Sequence, residues 1–455
     1  MVQIDEKVYG LSGARLESIF DAGTFVELGA YTKRANSQSE FESVVCGYGA
    51  VDGRLAFAFI QDSGRTKGAF GERHAKKIEA LYALAVKNGA PIIGVFDSAG
   101  AVVYDGAQAL AAYGRLMKNI ADASGIVPQI AVIDGVCGGS SAVAASMFDL
   151  VVTVKEKSEL FVNAPFVVGK AEPAVAQGLS AYEAEDEAQA FGFVRELIGT
   201  LPQNNADVAA LETADDLNRV VSFDPEKYEI GALLETLSDD GKFTRLYADY
   251  TDAAVFGFAS FGGVVSGVIA SNPAKKGILD IRVARAAAKL ISFCDSFGIP
   301  VLTLVDSEGL AVSAEAENAA YASELARLAM AYSTSDNAKV TVVLGKAYGT
   351  AFTLLGSKSV GADMALALPT ACISVLSPEA SVAFVWNEKV GERSREELEA
   401  EWKETCASAA EAADAGEIDD IVEPAELRQR ICAALSMLAA KAEGTPSRKH
   451  ATLPL

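Results

Sequence analysis

The feature that most constrains this chain is that it repeats itself. The segment Asn88-Gly89-Ala90-Pro91-Ile92-Ile93-Gly94-Val95-Phe96-Asp97-Ser98-Ala99-Gly100 is matched by Phe297-Gly298-Ile299-Pro300-Val301-Leu302-Thr303-Leu304-Val305-Asp306-Ser307-Glu308-Gly309. The offset is a constant 209 residues, Asp97 falling on Asp306. Each copy follows an Ala-rich stretch, 75–87 and 283–297, whose apolar residues recur at helical spacing. Each therefore reads as helix, turn, buried strand, then a loop opened by Asp-Ser. The pattern continues through Gln129-Ile130-Ala131-Val132-Ile133-Asp134-Gly135-Val136-Cys137-Gly138-Gly139-Ser140 and Lys339-Val340-Thr341-Val342-Val343-Leu344-Gly345-Lys346-Ala347-Tyr348-Gly349-Thr350, a strand running through a glycine turn into a small-residue helix. Further strands are expected at 150–154 and 364–368, introduced by Asp149 and Asp363.

Continuous Val, Ile and Leu strands alternating with helices call for a parallel sheet covered on both faces. A chain of 455 residues is long enough for two such cores, so two α/β domains are expected rather than one large domain with coincidental repeats. The acidic stretch 176–242 reads as their connection, with some helix. The uncharged stretch 253–274 is broken by Gly257, Gly262, Gly263, Gly267 and Pro273, so it reads as strands and turns, not as a membrane-crossing helix. No secretory signal is visible in residues 1–10, and a cytoplasmic protein is expected.

A net charge of −22 argues against nucleic acid as a partner, because neutralising phosphates needs clustered Lys and Arg. It does not exclude a small anionic ligand, which helix N-termini and a few local bases can hold. The six cysteines have no CxxC spacing and the histidines are only His74 and His450, so no metal site is expected and the cysteines read as small buried hydrophobes. A strand that ends in a glycine turn and feeds a helix leaves backbone N–H groups pointing into the crevice. One such donor stabilises a developing oxyanion by ~3 kcal/mol. The same glycines would also serve tight helix–strand packing.

Asp21-Ala22-Gly23-Thr24-Phe25-Val26-Glu27, Asp52-Gly53-Arg54, Gln61-Asp62, His74-Ala75-Lys76-Lys77-Ile78, Lys346-Ala347-Tyr348-Gly349, Ser357-Lys358, Gly361-Ala362-Asp363 and Gly416-Glu417-Ile418-Asp419-Asp420-Ile421-Val422-Glu423-Pro424 with Arg428, together with the two repeats, carry a resemblance. In order and spacing the chain resembles the biotin-dependent acyl-CoA carboxyltransferases, of the propionyl- and acetyl-CoA carboxylase beta-subunit type or the carboxyltransferase subunits of biotin-dependent decarboxylases, over nearly its whole length. The resemblance implies two tandem crotonase-like ββα-superhelix domains, residues 1–200 binding acyl-CoA and 201–455 binding carboxybiotin. It implies transfer of a carboxyl group between biotin and the α-carbon of a short acyl-CoA through an enolate. The oxyanion holes are then expected at Gly139 and Ser140, and at Thr350 and Ala351 preceded by Gly349. Ala99, Gly100, Ala101 and Gly138 would line the acyl-CoA site, and Thr353 would floor the acyl pocket or simply pack the helix. No side-chain base is needed, since the ureido nitrogen of biotin can take the α-proton.

Coenzyme A is then part of the substrate, and the biotin arrives on a biotin carboxyl carrier protein. The further partners implied are a biotin carboxylase or a membrane decarboxylase subunit, and more copies of the chain in a trimer of dimers. A transferase in a carboxylase, a subunit of a sodium-pumping decarboxylase and a non-catalytic homologue are the three readings. The chain departs from the family where Ser140 and Thr350 replace a second glycine, where Asp97-Ser98-Ala99-Gly100-Ala101-Val102 stands for Asp-Ser-Gly-Gly-Ala-Arg, and where Asp306-Ser307-Glu308-Gly309-Leu310 lacks Pro-Gly-Phe. Lys67, Arg65 and Arg73 could meet the coenzyme A phosphates or form a solvated face. His74 reads as structural rather than as a general base. Met117-Lys118-Asn119 lies in an expected helix, not at the hairpin tip that covalent biotin attachment uses, and no Gly-Lys-Ser/Thr phosphate loop is present.

Overall fold

The computed structural model describes residues 9–34, 40–169, 171–442 and 452, so His450 and residues 1–8 lie outside it. The chain divides into two compact units, Met1–Asp207 and Val208–Leu455. The first contains strands β1 (Val26–Leu28), β2 (Val44–Val51), β3 (Arg54–Gln61), β4 (Ile92–Ser98), β5 (Gln129–Gly138), β6 (Leu150–Val154), β7 (Glu159–Phe161) and β8 (Tyr182–Ala184). The second contains β9 (Phe243–Leu246), β10 (Ala254–Phe261), β11 (Val264–Ser271), β12 (Val301–Ser307), β13 (Lys339–Tyr348), β14 (Met364–Ala367), β15 (Cys372–Ser374) and β16 (Asp420–Ile421). The sheets have the same order, β1-β2-β3-β4-β5-β6-β8 with β7 on β5, and β9-β10-β11-β12-β13-β14-β16 with β15 on β13. Both are mixed rather than wholly parallel: β1, β2 and β3 run antiparallel, and every later pairing is parallel.

The strand sequences explain this burial. All seven residues of β4 are buried, as a parallel strand covered on both faces requires. The helix Glu72–Asn88 turns Ile78, Leu81, Tyr82 and Ala85 inward at helical spacing and ends at Gly89, whose φ of 60° makes a left-handed cap. The stretch 253–274 forms the β10–β11 hairpin, its turn at Gly262-Gly263.

The same device pins both hairpins. Asp21 accepts the N–H groups of Asp52 and Gly53 at 3.1 and 2.9 Å and pairs with Arg195 at 2.8 Å. Asp239 accepts those of Gly262 and Gly263 at 2.9 and 2.8 Å and pairs with the fully buried Arg428 at 2.5 Å. Asp149 and Asp363 likewise accept from Gln129 N and Lys339 N at 2.8 Å, clamping the start of the neighbouring strand. Asp21, Asp239 and Asp363 each accept two or more donors, the strong, charge-assisted class of hydrogen bond.

The stretch 176–242 is less of a connection than its acidity suggests. Tyr182–Ala184 is a strand of the first sheet, Glu187–Thr200 a helix of the first unit, and Ile230–Leu237 a helix of the second. Its acids cap helices: Asp186 accepts from Gln189 N, and Glu229 from Gly231 N and Ala232 N. The boundary between the units, at Asp207 and Val208, still falls inside this stretch, between those two helices.

Glycine replacements separate the two kinds of site. A Cβ on Gly277 would lie 1.9 Å from the Asp306 carbonyl oxygen at φ +54°, whereas one on Gly114, inside the helix Ala107–Ala123, meets nothing within 4 Å. Gly277→Ala should lower stability by at least about 2 kcal/mol. Gly114→Ala should raise it by about 0.5–1 kcal/mol, both read from chemical denaturation.

Candidate active site

Each sheet breaks its register at one place. The β4–β5 pairing shifts between Phe96 and Ser98, and the β12–β13 pairing between Val305 and Ser307. The cause is the aspartate in between. Asp97 lays its carboxylate against the bare Cα of Gly135, where a Cβ would sit 2.2 Å from Oδ1; Asp306 does the same to Gly345, with 2.6 Å to Oδ2. Behind them, Gly68 and Gly277 approach the carbonyl oxygens of the same aspartates so closely that a Cβ would lie 2.2 and 1.9 Å away.

The loops that follow are built alike. The Ser98 hydroxyl accepts the Gly100 N–H at 3.1 Å and the Ser307 hydroxyl the Gly309 N–H at 3.2 Å, while Ala99 and Glu308 donate to the carbonyls of Lys67 and Lys276 at 2.9 Å. Phe70 donates to Gly100 O and accepts from Val102 N; Leu279 donates to Gly309 O and accepts from Ala311 N. That pattern turns the N–H groups of Ala101 and Leu310 away from Phe70 and Leu279, and neither meets an acceptor among the described residues. Ser98 pairs with Cys137 and Ser307 with Ala347, which sets each loop beside the glycine turn of the adjacent strand.

At those turns Gly139 and Gly349 have φ of 57° and 58° and immediately precede the short helices Ser140–Ala145 and Thr350–Leu354. Ser140 and Thr350 keep negative φ, so their Cβ atoms introduce no backbone strain. The expected donor pair needs one correction. The Gly139 N–H donates to Phe161 O at 2.8 Å and the Gly349 N–H to Ser374 O at 2.9 Å, so these amides are committed to β7 and β15. Gly139 and Gly349 shape the turn, and the first unpaired helix amides are those of Ser140, and of Thr350 with Ala351. Each unit thus carries an unpaired loop amide, Ala101 or Leu310, three residues beyond a serine that pairs with the strand leading into the helix amide. Leu310 was outside the expected set, although its offset from Ala101 is that of the repeat. Gly138 presents its Cα to the Phe161 ring, where a Cβ would meet the ring at 2.6 Å, which makes it a packing residue.

The remaining expected residues separate. Lys67 is exposed at φ +55° beside the loop, and Arg65 pairs with Asp62 at 3.6 Å. Arg73 is exposed on the helix Glu72–Asn88 and spends its guanidinium on Lys33 O at 2.8 Å. Thr353 is exposed, on the helix Thr350–Leu354, and its carbonyl accepts the Ser357 hydroxyl at 3.0 Å. His74 is fully buried against Phe70, with Ser43 Oγ at 3.4 Å, and burial together with the Lys77 charge pushes its pKa down to about 3. A group so enclosed has no path to a substrate. Lys118 lies mid-helix and pairs with Asp122. Five cysteines are buried and Cys406 is exposed; among the described residues no cluster of His, Cys, Asp or Glu could hold a metal, and no helix is long and apolar enough to cross a membrane.

Sequence reasoning missed what holds the two aspartates. Arg15 reaches Asp97 at 2.8 Å and Asp134 at 2.5 Å, with Ser63 Oγ donating to Asp97 at 2.6 Å. Asp306 instead accepts from the Tyr228 hydroxyl at 2.9 Å and Lys346 N at 2.9 Å, and borders a cavity of about 580 Å³ lined by Glu308, Lys346, Tyr348 and Cys372. Arg15 and Tyr228 sit far from their partners in sequence and in no recognisable motif, so only the fold brings them together.

With this geometry in hand, likeness to known proteins is informative. Residues 11–453 match the family described as the carboxyl transferase domain. The chain is 33% identical to the carboxyltransferase subunit of propionyl-CoA carboxylase from Haloferax mediterranei, and 33% identical to the alpha subunit of methylmalonyl-CoA decarboxylase from Veillonella parvula, in each case over 97% of this chain and 92% of the relative. A crystal structure of transcarboxylase 12S, described as a hexamer assembly with methylmalonyl-coenzyme A and methylmalonic acid bound, superposes with a TM-score of 0.91 at 30% identity, over 97% of this chain and 92% of that one.

His74 supplies a pH test of the structural assignment. Its folded-state pKa lies below the unfolded value near 6.5, so its contribution is intact above that pH and is lost as pH falls from about 6.5 toward about 3. The slope is at most about 1.4 kcal/mol per pH unit for one proton. Denaturation at pH 7 and pH 5 should show a smaller loss of stability in His74→Gln than in the parent, with turnover at pH 7 largely retained by the variant.

Proposed function

The chain belongs to the carboxyl transferase domain family, and from this premise we propose how its two units divide the work of carboxyl transfer. The protein is a biotin-dependent acyl-CoA carboxyltransferase, of two tandem crotonase-type units. The N-terminal half, 1–200, takes the acyl-CoA, and the C-terminal half, 201–455, takes the carboxybiotin. The observation that carries this reading is the pair of unpaired amides that recurs in both units, Ala101 and Leu310 at an offset of 209 and Ser140 and Thr350 at 210.

In the first unit the amides of Ala101 and Ser140 hold the thioester oxygen. As the α-proton leaves, charge builds on that oxygen, and two fixed donors stabilise it without reorganising. The helix Ser140–Ala145 adds the positive end of its peptide dipoles in the same direction. In the second unit the amides of Leu310 and Thr350, with Ala351 behind, hold the ureido oxygen of biotin and draw electron density from the adjacent nitrogen. Backbone donors fit a neutral ureido oxygen, because they polarise it without the fixed charge of a lysine or arginine. Biotin, carried by a biotin carboxyl carrier protein, supplies when bound the carboxyl group and the nitrogen that accepts the α-proton. No side chain of this protein needs to titrate, in keeping with the burial of His74.

Relatives of equal identity belong to a carboxylase and to a decarboxylase. The direction of transfer is accordingly set by the partner that supplies or dissipates free energy, a biotin carboxylase or a membrane decarboxylase subunit, and not by the amides. Retention of both amide pairs speaks against a non-catalytic role, and the protein acts in the cytoplasm. Large apolar side chains are exposed in both units: Tyr104 and Phe166 are 100% and 91% exposed in the first, Val312 and Phe384 99% and 85% in the second. Such surface is covered in a homo-oligomer, and a trimer of dimers that apposes the first unit of one copy to the second unit of another would complete each site.

Three measurements check this reading. The purified chain should release CO2 from malonyl-, methylmalonyl- or glutaconyl-CoA only when free biotin is added; release without biotin, or none with any of the three, contradicts it. Ser140→Pro keeps a helix start that tolerates proline but removes one donor, and should lower turnover about a hundredfold, on the order of 3 kcal/mol, whereas Ser140→Gly changes it little. Light scattering at micromolar concentration should give a hexamer, and a monodisperse monomer would count against the shared site.

A further inference from the structure

Counting six residues back from the hairpin-pinning aspartates, Asp21 and Asp239, gives Arg15 in the first unit and Leu233 in the second. One residue before the glycines that seat Asp97 and Asp306 stand Asp134 and Leu344. Arg15 and Asp134 are 5% and 0% exposed; Leu233 and Leu344 are 3% and 1% exposed and belong to one hydrophobic core cluster. The two units thus fill the same place differently, with a buried ion pair in one and two leucines in the other. Packing does not demand the ions, since buried ion pairs are often no more stabilising than apolar residues of similar size.

The guanidinium of Arg15 makes a specific set of contacts. Nη1 donates to Gln61 O at 2.9 Å, Nη2 to Asp97 Oδ2 at 2.8 Å and to Asp134 O at 3.1 Å, and Nε faces Asp134 Oδ2 at 2.5 Å. Lys157 meets the other Asp134 oxygen at 2.6 Å. The fork therefore ties the end of β3 and the middle of β5 to Asp97, the residue at the register break that leads into the Ala101 loop. We infer that Arg15 is a positioning residue: through Asp97 it fixes the loop amide of Ala101 against the helix amide of Ser140, a constraint that the second unit meets with the Tyr228 hydroxyl instead. This rests on the assignment of those amides to the thioester oxygen. A planar guanidinium fixes direction as well as distance, and the first unit is where charge develops on carbon-bound oxygen, so misplacement there reaches the rate directly.

The test uses the full chain with Arg15→Leu and Asp134→Leu together, copying the second unit so that no buried charge of that pair is left alone. The double variant should stay folded, with amide hydrogen exchange at least tenfold faster across 97–102 and 137–141 and unchanged across 306–311 and 347–351. Turnover at saturating acyl-CoA should fall at least tenfold, with the KM for free biotin within twofold of the parent. Arg15→Lys, which keeps the charge without the fork, should fall between the two proteins, and it answers the question if the double variant does not fold. Unchanged exchange at 97–102, or turnover within twofold of the parent in a folded variant, overturns the inference. If the parent itself transfers no carboxyl group, the functional reading fails, while the exchange comparison still decides the role of Arg15.

Discussion

The structure depends on one close contact made twice, an aspartate carboxylate resting on the bare Cα of a glycine in the next strand. Asp97 on Gly135 and Asp306 on Gly345 coincide with the break in strand register where each strand leaves the core for the loop that follows it. A parallel strand pairs both edges with its neighbours and leaves no donor over. By displacing the pairing over one residue, the aspartate bends its strand away, and the next segment keeps one amide unpaired. Gly68 and Gly277 close in from the other side, so the loop has no freedom to relax back.

Repetition of this contact explains why the two units carry loops and glycine turns of the same geometry. The amide pairs are backbone groups, so the residues that carry them can differ, Ser140 against Thr350 and Ala101 against Leu310, while the contacts that hold each loop differ as well, the Arg15 guanidinium on Asp97 and the Tyr228 hydroxyl on Asp306. Backbone donors also tolerate the departures from the family pattern, because a serine or threonine at negative φ offers the same N–H that a glycine would. The strict requirement falls one residue earlier, on Gly139 and Gly349, whose positive φ turns the chain from strand to helix.

Much of this was legible in the sequence because the repeat is carried by residues with local consequences. Val-Ile-Leu strands and the glycine turns at Gly139 and Gly349 each announce their own geometry, and the repeat then places the second unit. The acidic stretch 176–242 does contain the boundary between the units and the expected helix, but which of its carboxylates cap helices is legible only once their acceptor roles are seen. In the first unit the Gly139 amide reads as free in the sequence although it is taken by Phe161 O, a bond that depends on β7, about twenty residues further along and paired with only the last residues of β5; the reading of Thr350 and Ala351 in the second unit needs no such change. Arg15 and Tyr228 carry no signal at all in a single sequence, since a buried cation or phenol becomes informative only beside its carboxylate.

The central claim is that the thioester oxygen is held by backbone in the first unit. A crystal structure of the protein with a non-hydrolysable acyl-CoA would test it most directly. The account predicts the thioester oxygen about 3 Å from both Ala101 N and Ser140 N, the distance at which such donors act. A thioester oxygen bound instead by a side chain, or by the Leu310 and Thr350 amides of the second unit, would contradict it.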